Sequence, residues 1–89
     1  MNAYDMTLEQ YVEFMEEFCN RRIEDEREMK ERLWKEIGDD ANGNLTNCYY
    51  IETCIRKIRE CEERSSRWSA KLETLFDIKL IMKKMSEEV

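Results

Sequence analysis

The sequence predicts an all-α protein: a long antiparallel helical hairpin, coiled-coil-like, with arms at about 7–37 and 47–87. Three observations carry this reading. The 89 residues include no proline and only two glycines, Gly38 and Gly43, so the chain lacks the turn residues that a compact all-β fold needs at every hairpin. Apolar residues recur at helical spacing along two long stretches. Between those stretches lies one segment of turn composition, GDDANGNLTN at 38–47, whose Gly, Asp and Asn permit positive φ or bond the backbone through short side chains. A chain of this length makes one domain, 1–89, with a modest core.

The first arm opens with Thr7 and Gln10, the spacing of a capping box, flanked by Met6 and Tyr11 in the positions of a hydrophobic staple. Leu8, Tyr11, Val12, Met15, Phe18, Cys19, Ile23, Met29, Leu33, Trp34 and Ile37 share one arc of a helical wheel and define an amphipathic helix with one buried face. Gly38 is the expected left-handed stop, giving a helix of roughly 46 Å. In the second arm Ile51, Cys54, Ile58, Cys61, Ser65, Trp68, Leu72, Leu75, Lys79 and Met82 follow a four-three spacing. The pattern crosses Ser65-Ser66 without a phase shift, so one helix of about 40 residues, roughly 60 Å, is expected. The alternative is a three-helix bundle broken at Ser65-Ser66. Asn44, Thr46 or Asn47 is available to cap the second arm. A turn centred near Asn42 sets residues whose numbers total about 84 opposite each other.

The absence of histidine removes histidine-based catalysis and most catalytic zinc and iron sites. The four cysteines contain no Cys-x-x-Cys pair. Cys54 and Cys61 lie two helical turns apart, roughly 10 Å, too far to share one zinc ion. Cys19 and Cys61 fall near each other in the register, but buried free thiols are the expected state. Asp40-Ala41-Asn42-Gly43 has part of a calcium-loop pattern; with Gly43 sixth, positions one and twelve would be Gly38 and Tyr49, and neither supplies a carboxylate. Ser65, Ser66 and Ser69 have no base to activate them. No catalytic, cofactor or metal site is therefore expected, and the chain is not read as an enzyme. No stretch reaches the roughly eighteen apolar residues of a membrane span, and residues 1–5 carry neither a basic region nor an apolar run, so a cytoplasmic protein without a signal peptide is expected. Asn44-Leu45-Thr46 then reads as turn chemistry and not as a glycosylation acceptor.

Charge is distributed unevenly. The chain carries a net −6, with charged residues at 40%. Residues 1–40 hold thirteen acids and six bases, whereas 41–89 hold eight and nine. Glu9, Glu13, Glu16 and Glu17 lie, by the register, near Arg64, Arg67 and Lys71, so pairing along the seam orients the arms. A second reading treats Glu9, Glu13, Glu17, Glu24, Glu28 and Glu31 as a carboxylate row, interrupted by Arg27 and Lys35, that imitates a phosphate backbone. Direct nucleic-acid binding through Arg56, Arg64, Arg67 and Lys71, with Trp68 for stacking, is disfavoured by the net charge and by Glu60 and Glu63 on the same face. Arg22, Glu26 and Glu62 fall within the apolar arcs and form an expected polar register layer.

The register leaves the last eleven or so residues of the second arm without cover from the first. Ile78, Leu80, Ile81, Met82 and Met85 in that overhang spread around the helix, as expected of a partner interface. A homodimeric helical bundle is the simplest way to cover them. The expected function is that of a small acidic protein that binds another protein, as an inhibitor or adaptor. The alternatives are an acidic nucleic-acid mimic of the viral or mobile-element anti-defence type, and a structural assembly subunit.

Overall fold

A computed structural model describes residues 6–43 and 48–87, for 40–43 the backbone alone. It contains two helices, α1 (Leu8–Gly43, 36 residues) and α2 (Cys48–Glu87, 40 residues), packed against each other as an antiparallel hairpin. The expected all-α hairpin is the observed fold. Helix α2 runs unbroken through Ser65-Ser66, so the three-helix alternative is not adopted. No helix among the described residues is long and apolar enough to cross a membrane.

Helix α1 begins where its cap dictates. The Gln10 amide donates to Thr7 Oγ1 at 3.1 Å while the Thr7 amide donates to Gln10 Oε1 at 3.0 Å, a reciprocal capping box that satisfies two otherwise unpaired donors. The other end differs from expectation. Helix α1 passes through Gly38 and continues to Gly43, with no positive φ at any described residue. Its continuation is anchored by packing: Ile37 lies against the cluster of Leu33, Cys54, Ile58 and Cys61, and the Tyr50 hydroxyl donates to Glu36 Oε2 at 2.6 Å. These contacts outweigh the propensity cost of one helical glycine, about 1 kcal/mol relative to alanine. The expected caps at Asn44, Thr46 and Asn47 lie outside the described residues.

That extension moves the register. Gly43 and Cys48 end the helices on either side of the connection, so facing residues total about 91 and not 84. The observed cross-helix pairs follow the change: Glu26 with Arg64, Lys30 with Glu62, and Glu16 with Lys79. The six-residue extension of α1 beyond Ile37 thus shifts every cross-helix pairing expected from a stop at Gly38.

Two apolar clusters make the core. Leu33, Cys54, Ile58 and Cys61 occupy the half nearer the connection. Val12, Cys19 and Leu75 occupy the half nearer the open end, with Met15, Trp68, Leu72, Ile78 and Met82 packed around them. The elongated hairpin measures 67 × 26 × 15 Å in its Cα atoms.

Gly38 provides a direct test of its helical role. A Cβ there would meet nothing within 4 Å, and its φ is not positive. Gly38→Ala is expected to raise stability by about 0.5–1 kcal/mol, by restricting the unfolded chain and favouring helix. Were Gly38 a left-handed stop, the same change would destabilise; the midpoint of urea unfolding separates the two.

Candidate functional site

The positions of the charged and apolar side chains follow from helix geometry. Val12, Cys19 and Leu75 mark the inward line of each helix. At about 100° per residue, Tyr11, Phe14, Phe18 and Arg22 of α1 turn to the same flank of the hairpin as Arg67, Lys71, Ile81 and Met85 of α2. Glu9, Glu13, Glu17 and Glu24 turn to the opposite flank, with Phe76, Lys79, Leu80 and Lys83. Contacts agree with this division. On the first flank Phe14 stacks on Phe18 with centroids 6.4 Å apart, and Phe18 meets Trp68 edge-on at 5.5 Å. On the second, Lys79 Nζ lies 2.8 Å from Glu16 Oε1, and Glu9, Glu13, Lys79 and Lys83 line one cleft with Val12, Met82 and Ser86.

The polar layer is built from a different pair than the spacing suggested. Arg64 donates from Nε to Glu26 Oε1 at 2.7 Å and from Nη2 to Glu26 Oε2 at 3.0 Å. This two-pronged pair sits between the two apolar clusters, and the Glu26 side chain is only 15% exposed. Arg22 instead points outward with its guanidinium 5.1 Å from the Phe18 ring centroid, a cation–π arrangement. Glu62 is exposed and lies 3.9 Å from Lys30 Nζ. Of the three residues expected in the layer, Glu26 alone is there. The Arg64 hydrogen bonds hold the Glu26 carboxyl below its ordinary range against the opposing effect of burial. Burial, followed by the hydrogen bond to Glu26, raises the Cys61 thiol, and burial raises that of Cys19. All four cysteines are free, with Cys48 exposed. Cys19 and Cys61 belong to different clusters.

The carboxylate row is partly neutralised. Arg27 pairs with both Glu24 and Glu31, and Glu16 pairs with Lys79. Glu9, Glu13, Glu17 and Glu28 are exposed. Pairs of this kind on a helix surface contribute only about 0.2–1 kcal/mol each, but they reduce the field that the row projects. Among the described residues no group of three or more Cys, Asp or Glu side chains is arranged to hold a metal ion.

The apolar residues of the far end of α2 divide under the observed register. Ile78 and Met82 pack onto the Val12–Cys19–Leu75 cluster of their own chain, which corrects the expected eleven-residue overhang. Leu80, Ile81 and Met85 remain exposed, joined by Phe76 and by Leu8 and Phe14 of α1. Leu80 and Ile81 share an open surface patch with Asp77, Lys83, Lys84 and Glu87, on the side of α2 turned away from α1. The sequence pattern missed Phe76 and Phe14 as surface residues: both sit beside the apolar stripe, and only the true register shows that no element covers them.

The chain matches no protein-family model, no curated protein and no solved structure. The reading of function therefore rests on the two flanks and the outer edge of α2.

Proposed function

We propose that this protein is a non-catalytic, cytoplasmic interaction module that acts by binding another protein, as an inhibitor or adaptor, through helical surfaces at the open end of its hairpin. One observation carries the reading. Phe76 is 61% and Leu80 48% exposed one turn apart on α2, beside the open patch that Leu80 shares with Ile81 and a rim of Asp77, Lys83, Lys84 and Glu87. Contiguous apolar surface rimmed by charge is the pattern of a protein-binding site, and adjacent aromatic and aliphatic anchors carry most of the energy of such sites.

The experiment compares the parent with the double variant Phe76→Lys, Leu80→Lys as bait in a lysate of the native host, with bound proteins identified by mass spectrometry. The expected result is a protein retained by the parent in high salt and lost by the variant, because apolar contacts resist screening. Recovery of the same proteins by both baits would overturn the assignment to this edge. A partner retained only at low salt, and lost when Glu9, Glu13 and Glu17 are changed to glutamine, would instead favour the carboxylate row as the binding element.

A further inference from the structure

The hairpin has far more surface than a compact chain of its mass. Its accessible area is 7358 Å² for 10.9 kDa, whereas the area–mass relation for folded monomers gives about 5,600 Å². Its radius of gyration is 19.5 Å against about 12 Å for a compact domain of this length. The difference in area is about 1,800 Å² per chain, roughly twice the 800 Å² or so that each partner contributes to a standard protein–protein interface. Two helices side by side form a single layer, and stable domains pack at least two. The flank holding Phe14, Phe18 and Trp68 is the better prepared to receive a second layer. Its rings are already ordered by mutual stacking, and Phe14 remains 53% exposed.

We propose that a second copy of this chain covers that flank, giving an antiparallel four-helix dimer about a twofold axis that passes at the level of Phe14 and Ile78. Charge decides the direction. The same flank carries Arg67 and Lys71 beside Trp68 and Arg64. A parallel pairing would hold these cations at the same level as their own copies, across the diagonal of the bundle. An antiparallel pairing about that level moves them to opposite ends of the interface. Lys71 then falls at the level of Met85 in the last turn of the partner's α2, where unpaired carbonyls carry the negative end of the helix dipole, and Arg67 falls just past that end. The carboxylates Glu9, Glu13 and Glu17 are exposed, lie on the other flank and stay in solvent. Covering this flank takes Ile81 toward the second copy but leaves Phe76 and Leu80 on the opposite flank open, so the dimer deepens the reading of that edge as the target site without occupying it.

Sedimentation equilibrium and spin-label distances test the proposal. The parent is expected to sediment at twice its chain mass at about 10 μM. Phe14→Glu, a change at an exposed position, is expected to weaken association at least tenfold while helical circular dichroism is retained. With Cys48→Ser and a label at Arg67→Cys, the two labels should lie roughly 30 Å apart or more, given about 1.5 Å per residue and eleven residues from the axis on each chain. A label separation under about 20 Å, the width of two adjacent helices, would overturn the antiparallel direction. A parent that stays monomeric at about 100 μM, or a dimer indifferent to Phe14→Glu, would overturn the interface. Dissociation by Phe76→Lys, Leu80→Lys in place of Phe14→Glu would move the second copy to the other edge. A monomeric parent that still retains a target through Phe76 and Leu80 removes the dimer alone, whereas a dimer that retains none removes the target site alone.

Discussion

Leu75→Ala is expected to cost about 2–4 kcal/mol, a large loss for a single truncation. Leu75 has no exposed surface and sits between Val12 and Cys19 of the facing helix. Removing its three outer carbons forfeits their transfer free energy and leaves a cavity that rigid neighbours fill only in part. The effect is sharpened by how few side chains share the work, since the open-end cluster contains only three buried residues. Against a total stability of about 5–15 kcal/mol for a small domain, such a loss brings the hairpin close to unfolding. Urea titration followed by circular dichroism checks it. A loss under about 1 kcal/mol would mean that Leu75 is not the centre of the packing between the arms.

Arg64→Ala is expected to cost about 1–3 kcal/mol at neutral pH, and the cost should shrink in acid. The substitution strands the Glu26 carboxylate, which is 15% exposed, without its two-pronged partner. The figure stays at the low end of what breaking a buried pair costs because the Arg64 side chain is 40% exposed and its charge is partly screened by solvent. The pH dependence has a definite sign. Arg64 holds the Glu26 carboxyl below its ordinary value, so the unfolded chain binds a proton at higher pH than the folded one. The stabilisation is fully present above the unfolded carboxyl's pKa of about 4.3. It is lost as pH falls through the depressed folded value. The gap between parent and Arg64→Ala should therefore be constant from pH 7 to about 5 and narrow below about 4. A gap independent of pH would assign the loss to the packing of the arginine stem. Replacing both residues by leucine is expected to recover much of the stability, since apolar isosteres avoid the desolvation of both charges.

The parts of this fold legible in the sequence are those fixed by local chemistry. Thr7 and Gln10 specify the start of α1 within one turn, and the unbroken four-three spacing through Ser65-Ser66 specifies one long α2. Gly38 misled because a glycine is equally a helix terminator and a tolerated helical residue. Ile37 and Glu36, bound from the other arm by Ile58's cluster and by Tyr50, decide between the two, and those contacts are invisible to a local reading. Since register depends on where the turn lies, the same glycine set Arg22 opposite Glu62 and lengthened the overhang, although the angle of each on its own helix turns it off the inward line. Glu26 was identified because its wheel position is independent of register; its partner Arg64 was not, because only register selects it. The exposure of Leu80, Ile81 and Met85 survived the change because they lie around the outside of α2 at any register.

The division of the core has a consequence for the order of assembly. The cluster nearer the connection joins Leu33 to Cys54, whereas the open-end cluster joins Val12 to Leu75. Closing the longer segment, about three times as many residues, costs roughly 1 kcal/mol more in chain entropy, and it follows once the shorter is in place. The hairpin should therefore close like a zipper from the connected end, with the Glu26–Arg64 clasp as the boundary between early and late contacts. Amide exchange would register this as protection falling from Ile58 toward Leu75. The end of the molecule that offers its apolar surface to other chains is then the last to form and the first to part, so an occupant there holds the arms shut as well as binding them.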